Sequence, residues 1–122
     1  MARVAHDLPM NWSVQEFLER FQTTLVLAPP LWHDTGRRLA EIQAIGLTRN
    51  QVIEELKNLK PTSHHRGPEP DDAEPASLSA LHIFKHPLEG TSIFVYVKIA
   101  LKVHPNKKSV LIAKIWSFKQ WS

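Results

Sequence analysis

Between residues 13 and 60 the apolar positions recur every three to four residues. Val14, Phe17, Leu18 and Phe21 share one helical face and predict a first helix over 14–22. Ser13-Val14-Gln15-Glu16 ahead of it reads as a capping box: the Ser13 hydroxyl accepts from the Glu16 N–H, and the Glu16 carboxylate reaches back to Ser13. Trp12 and Phe17 stand where a hydrophobic staple would hold the chain entry. Ala28-Pro29-Pro30 interrupts the pattern before a short connector, Leu31-Trp32-His33. Asp34 or Thr35 can then cap a second helix over 35–45, with Leu39, Ile42 and Ile45 on one side. Gly46 is a natural stop. Thr48-Arg49-Asn50-Gln51 opens a third helix that carries Val52, Ile53, Leu56 and Leu59, and Pro61 closes it. Two helices joined through Gly46-Leu47 read as an αα-hairpin.

Residues 61–79 are polar and rich in proline, histidine and aspartate, and they read as a long loop. Beyond it the period changes to two. A short strand is predicted over 81–85, and Glu89-Gly90-Thr91 is a turn signal. Over 93–103, Ile93, Val95, Val97, Ile99 and Leu101 fall on one face, with Phe94, Tyr96, Lys98, Ala100 and Lys102 on the other. His104-Pro105-Asn106-Lys107 is a hairpin turn before a last strand over 109–119. The expected class is α+β in a single domain spanning 1–122. Helices over 13–60 would pack on one face of a small antiparallel sheet over 80–120. The other face would present Tyr96, Lys98 and Lys102.

Length and composition narrow the functional classes. A chain of 122 residues has room for one core. It contains no cysteine, which excludes disulfide scaffolds, thiol nucleophiles and cysteine-based metal sites. No apolar run approaches the ~20 residues of a membrane span, and the start of the chain lacks the apolar stretch of a secretory signal. A cytoplasmic protein with no membrane association is expected.

Charge changes the picture more. Residues 1–78 carry a balance of −3, whereas 79–122, with seven lysines and Glu89 as the sole acid, carry +6. Such a half suits a polyanion such as nucleic acid; it also suits a solvated lysine face that blunts sheet edges.

Tyr96 and Lys98 are two apart and share a face. Tyr, Lys, Arg and His are the residue types that cleave RNA without a metal. One group deprotonates the ribose 2′-OH, cations stabilise charge on the phosphate, and an acid protonates the departing 5′-oxygen. Tyr96 also reads as an ordinary half-buried strand aromatic, and Lys98 as a solvated lysine. His64-His65-Arg66 is the densest polar cluster of the loop. With Asp71 and Asp72 it supplies metal-ligand types, but the spacing fits no strong metal template, and neither a metal nor another cofactor is expected. Trp116 or Phe94 could stack a base or pack in the core.

These residues resemble the MqsR-type ribonuclease toxins of bacterial type II toxin–antitoxin systems, within the broader RelE-like fold. The resembling stretches occur in family order: Gly46-Leu47-Thr48, Leu59-Lys60-Pro61, His65-Arg66-Gly67-Pro68-Glu69-Pro70-Asp71, Phe84-Lys85, Val95-Tyr96-Val97-Lys98-Ile99 and Ser117-Phe118-Lys119. The resemblance implies an mRNA endoribonuclease held inactive by a cognate, DNA-binding antitoxin; a single-stranded substrate is expected because an A-form duplex hides its base edges in a deep groove. It implies catalytic roles for Tyr96 and Lys119. The family's Tyr-Lys loop pair falls on His65-Arg66; Arg66 keeps a cation but cannot carry a proton near neutral pH, whereas an imidazole at His65 can. A further family polar position falls near His82. Lys98, Lys85 and His64 would add contacts to RNA. The competing reading is a non-catalytic nucleic-acid- or protein-binding regulatory module with the same basic sheet face.

Overall fold

The computed structural model describes residues 8–71, 78–104, 106–107 and 110–122. Three helices and five strands form an α+β fold: α1 Val14–Leu27, β1 Leu31–Trp32, α2 Thr35–Ala44, α3 Arg49–Lys57, β2 His64–Glu69, β3 Ser79–Pro87, β4 Phe94–Val103 and β5 Leu111–Gln120. The strands make one sheet in the order β1-β5-β4-β3-β2. β1 runs parallel to β5, and the other pairings are antiparallel. The sheet is therefore mixed and open, and it is not confined to the C-terminal half. One edge strand lies between α1 and α2 in sequence, and the other lies inside the stretch expected to be a loop. Residues 72–77, with Asp72 and Pro75, lie outside the described residues, as do Pro105 of the expected turn and Ser109 at the expected start of the last strand.

The local signals act largely as their chemistry suggests. Ser13 Oγ accepts from the Glu16 N–H at 3.1 Å, but the Glu16 carboxylate pairs with Arg20 instead of returning to Ser13. Thr48 and Gln51 form a complete capping box. Gly46 takes φ 77°, which lets the Leu47 N–H reach back to the Ile42 carbonyl at 2.9 Å and close the helix. α1 runs five residues past its expected end. Its last turns are Thr- and Val-containing, but Leu25 is buried and Gln22 Nε2 donates to the Leu56 and Leu59 carbonyls, so packing against the α3 end overrides weak helix propensity. Asp34 occupies the N-cap of α2 in the left-handed region, φ 48°, and its side chain caps nothing.

The alternation in β4 gives the sheet its two faces. Val95, Val97, Ile99 and Leu101 are buried against Phe17, Leu18, Phe21, Ile42, Val52 and Leu56 from the helices. Phe84, Ile115 and Phe118 from the flanking strands complete this core. The opposite face carries a second, smaller apolar cluster of Leu81, Ile83 and Ala100, with Tyr96 and Trp116 packed on it. Asp71, which follows β2, is buried on that side and accepts from Trp116 Nε1 at 3.0 Å. The face expected to be open is thus partly roofed at its Trp116 end. No helix among the described residues is long and apolar enough to cross a membrane.

Candidate functional site

Register decides which side chains meet on the helix-free face. Lys85 of β3, Tyr96 of β4 and Lys119 of β5 are direct cross-strand partners and form one row. Lys119 Nζ lies 5.4 Å from the Tyr96 ring centre. In the next row Ile83, Lys98 and Ser117 are partners, with Arg66 of β2 opposite Ile83. Tyr96 is half-buried, whereas Lys85 and Lys119 are exposed. Lys85 Nζ lies 4.9 Å from the Phe94 ring centre, and the two lysines flank Tyr96 from the strands on either side.

The Lys119 position depends on a bulge. Between the pairs Lys98–Ser117 and Ile99–Ile115, β5 carries one extra residue, Trp116. A buried network from α2 holds the bulge. The Arg38 guanidinium donates to the Trp116 carbonyl and pairs with Glu41 at 2.8 Å, and Ser117 Oγ donates to the Glu41 carboxylate at 3.3 Å. The extra residue turns the indole onto the helix-free face. There Lys114 Nζ and Lys98 Nζ lie 4.2 and 5.5 Å from its ring centre, and the His33 ring is 3.8 Å away. His33, Asp34, Arg37, Arg38 and Glu41 form one wall of a cleft of about 240 Å³; Tyr96, Lys98, Trp116, Ser117 and Lys119 form its other wall. The His33 imidazole is held below its ordinary pKa by desolvation and then by the nearby Lys114 and Arg38 charges.

On the other side of Tyr96 the row meets Trp121, whose ring centre is 5.8 Å from that of Tyr96. His65 packs edge-on against Trp121 at 4.9 Å, and Lys85 Nζ is 5.2 Å from the same ring. His65 is the extra residue at a register shift between His64 and Arg66, so it escapes the strict alternation of β2. Arg66 is on the correct face but pairs with Glu69 at 2.6 Å, two strands from Tyr96 and hence ~10 Å across the sheet.

His82 and His64 do not join this group. His82 pairs with Ile99 in register and so faces the helices, fully buried, with its ring 4.3 Å from Phe17. Burial, reinforced by neighbouring His64, lowers its pKa to about 4. His64 Nε2 and His82 Nδ1 are 3.0 Å apart, so the two imidazoles share one proton position. The expected acid–base role at His82 and RNA contact at His64 therefore meet an inward-facing pair, beneath the sheet from Tyr96. The possible metal ligands are also scattered: His64 packs on His82, His65 on Trp121, and Asp71 bonds Trp116. Trp116 and Phe94 both lie outside the main core, and Phe94 is 45% exposed.

Sequence reasoning missed Trp121, His33, Arg37 and the Arg38–Glu41 pair. For Trp121 a signal was present: it is two residues past Lys119 and so keeps the same side of the extended chain. For the α2 residues there was none, because a two-residue strand carries no periodicity. Comparisons with known families, curated proteins and solved structures return no match.

Proposed function

We propose that this protein is a metal-independent endoribonuclease toxin of the MqsR type with a RelE-like architecture, acting on single-stranded mRNA in the cytoplasm. The observation that carries the reading is the Lys85–Tyr96–Lys119 row, in which a tyrosine stands between two exposed lysines from neighbouring strands. Such a row suits a phosphodiester whose charge grows as the ribose 2′-oxygen attacks phosphorus. The lysines stabilise that charge, the P–O5′ bond breaks, and the products are a 2′,3′-cyclic phosphate and a 5′-OH. Lys98 and Arg66 extend phosphate contacts along the face. Trp121 beside Tyr96 offers a stacking surface for a flanking base, which favours a single strand over an A-form duplex. A cognate antitoxin with an acidic segment would neutralise the enzyme by covering this basic face.

The test is cleavage of a single-stranded RNA by the purified chain in EDTA, with end-group analysis of the products. A 2′,3′-cyclic phosphate formed in chelator is the expected outcome. A 3′-OH product with a strict magnesium requirement overturns the mechanism, and tight RNA binding with intact RNA selects a binding module instead.

A further inference from the structure

We infer that His33 is the general base of the cleft, taking the proton of the ribose 2′-OH while Tyr96 protonates the departing O5′; this rests on the ribonuclease reading above. Arginine and lysine side chains hold phosphate but exchange no protons readily near neutral pH, so the reaction needs an imidazole or a carboxylate within reach. His82 is sealed beneath the sheet and His64 is turned toward it. His65 belongs to β2 and His33 follows β1, so these two approach the Tyr96 row from opposite edges of the sheet. Among the described residues, His33 is the imidazole that shares the cleft with Tyr96, Lys98 and Lys119. Of the two carboxylates in the same cleft, Glu41 is engaged by Arg38 and Ser117, and Asp34 lies next to His33 in the chain, where its charge favours the ring once it has taken a proton.

The position of His33 is held at three points. Its backbone N–H donates to the Ile115 carbonyl at 2.9 Å, continuing the β1–β5 pairing by one residue. Its ring lies 3.8 Å from Trp116 at an interplanar angle of 32°, a contact made by the ring face, whereas both nitrogens lie on the ring edge. Asp34 then leaves in the left-handed region at φ 48°, a turn that a short polar side chain tolerates and that sends the chain directly into α2. The same anchored turn sets Arg37 on the cleft wall, where it is exposed and can take a non-bridging phosphate oxygen.

The electrostatic setting agrees with this role. Desolvation first, then Lys114 from β5 and Arg38 from α2, disfavour the protonated ring, opposed by Asp34 beside it and by Asp71 from the far side of Trp116. The net result is a neutral imidazole at neutral pH, ready to accept. In the full step, His33 takes the 2′-OH proton as the 2′-oxygen bonds phosphorus. The P–O5′ bond breaks, O5′ takes the Tyr96 hydroxyl proton, and water returns both side chains to their starting forms.

The experiment compares wild type with His33→Asn and His33→Ala on one single-stranded RNA in EDTA across the pH range 5 to 9. Wild-type kcat/KM should rise through the His33 titration on the acid side of neutrality and then level off. The variants should lose about 10²–10⁴-fold in kcat/KM and lose that acid limb. Affinity for the same oligonucleotide with a 2′-deoxy residue at the cleavage point should stay within about twofold. Ring NMR of His33 in the wild-type protein gives a measurement independent of any variant's folding: binding of the 2′-deoxy oligonucleotide should displace its titration. Folded variants that keep the wild-type rate and acid limb, or a His33 titration indifferent to the bound oligonucleotide, overturn the assignment while leaving the ribonuclease reading intact. A wild-type protein that cleaves no RNA overturns both.

Discussion

The two faces of this sheet hold the same kinds of residue to opposite ends. On the helix side, His82 and His86 sit among Val, Ile and Phe side chains, and burial lowers the pKa of both. Glu55, 3.7 Å from His86, opposes part of that effect. On the other side, lysines stand in solvent around Tyr96, Trp116 and Trp121, and the aromatic rings form platforms under the ammonium groups instead of filler between layers. A titratable group on the first face costs stability when it charges; on the second, Lys85 and Lys119 are exposed and open to a ligand. Residue type is thus a poor guide to role here. Three successive alternate positions, His82, Phe84 and His86, all point into the helix layer, while Ile83 and Lys85 between them serve the other face.

Damage to one face, read out on the other, tests whether the two act independently. Phe84→Ala removes a fully buried ring from the helix-side core and should destabilise the fold by about 3–5 kcal/mol. Denaturant unfolding at fixed pH measures it. Cleavage by the fraction that remains folded should change little, because Phe84 faces away from Tyr96. A loss of cleavage with unchanged stability would show that the two faces are not separable.

The converse substitution is Tyr96→Phe. The ring keeps its place on Leu81, Ile83 and Ala100, and only the hydroxyl is lost. Cleavage should fall about 10²–10³-fold, whereas stability should move by less than about 1 kcal/mol. An active, folded Phe variant would return Tyr96 to a packing role.

The buried histidines also make stability depend on pH. The folded-state pKa of His82 is lowered from 6.5 to about 4, so between those values the unfolded chain binds a proton that the folded chain refuses. The stabilisation is fully present above about pH 6.5 and is lost as pH falls toward 4, by about 3 kcal/mol across the window. His64 and His86, also lowered, add in the same direction. Urea unfolding at several pH values should show this fall, and His82→Leu should remove most of it. An unchanged slope in the Leu variant would place the acid sensitivity elsewhere, with His86 the next group to substitute.

Much of the fold was legible because its signals are local. Ser13, Gly46 and the Thr48–Gln51 box act within one helical turn, and the β4 alternation assigns each side chain to a face without reference to any partner. That was enough to put Tyr96 and Lys98 on the helix-free side. The same logic could not see β1, whose two residues are too short for a period, nor β2, whose Gly67 and Pro68 look like loop residues. β2 forms because Gly67, at φ 120°, brings its backbone so close to β3 that a Cβ there would sit 2.7 Å from the Leu81 carbonyl oxygen. His82 was misjudged for the same reason. Its face is set by pairing with Ile99, and a polar residue at an inward position gives no local sign of the burial to come.

Sequence alone was enough for the α+β class, the three helices and where they start, the period-two strands, the basic second half and the shared side of Tyr96 and Lys98. These follow from backbone sterics, capping chemistry and side-chain alternation, which act over a few residues. Tertiary structure alone decided that Lys85, Tyr96 and Lys119 stand in one row, that Trp116 bulges outward, and that His33 and Arg37 face the same cleft. Strand register and bulges shift side chains by whole positions, and they depend on contacts between residues as distant as Arg38 and Trp116, which only the folded core brings together.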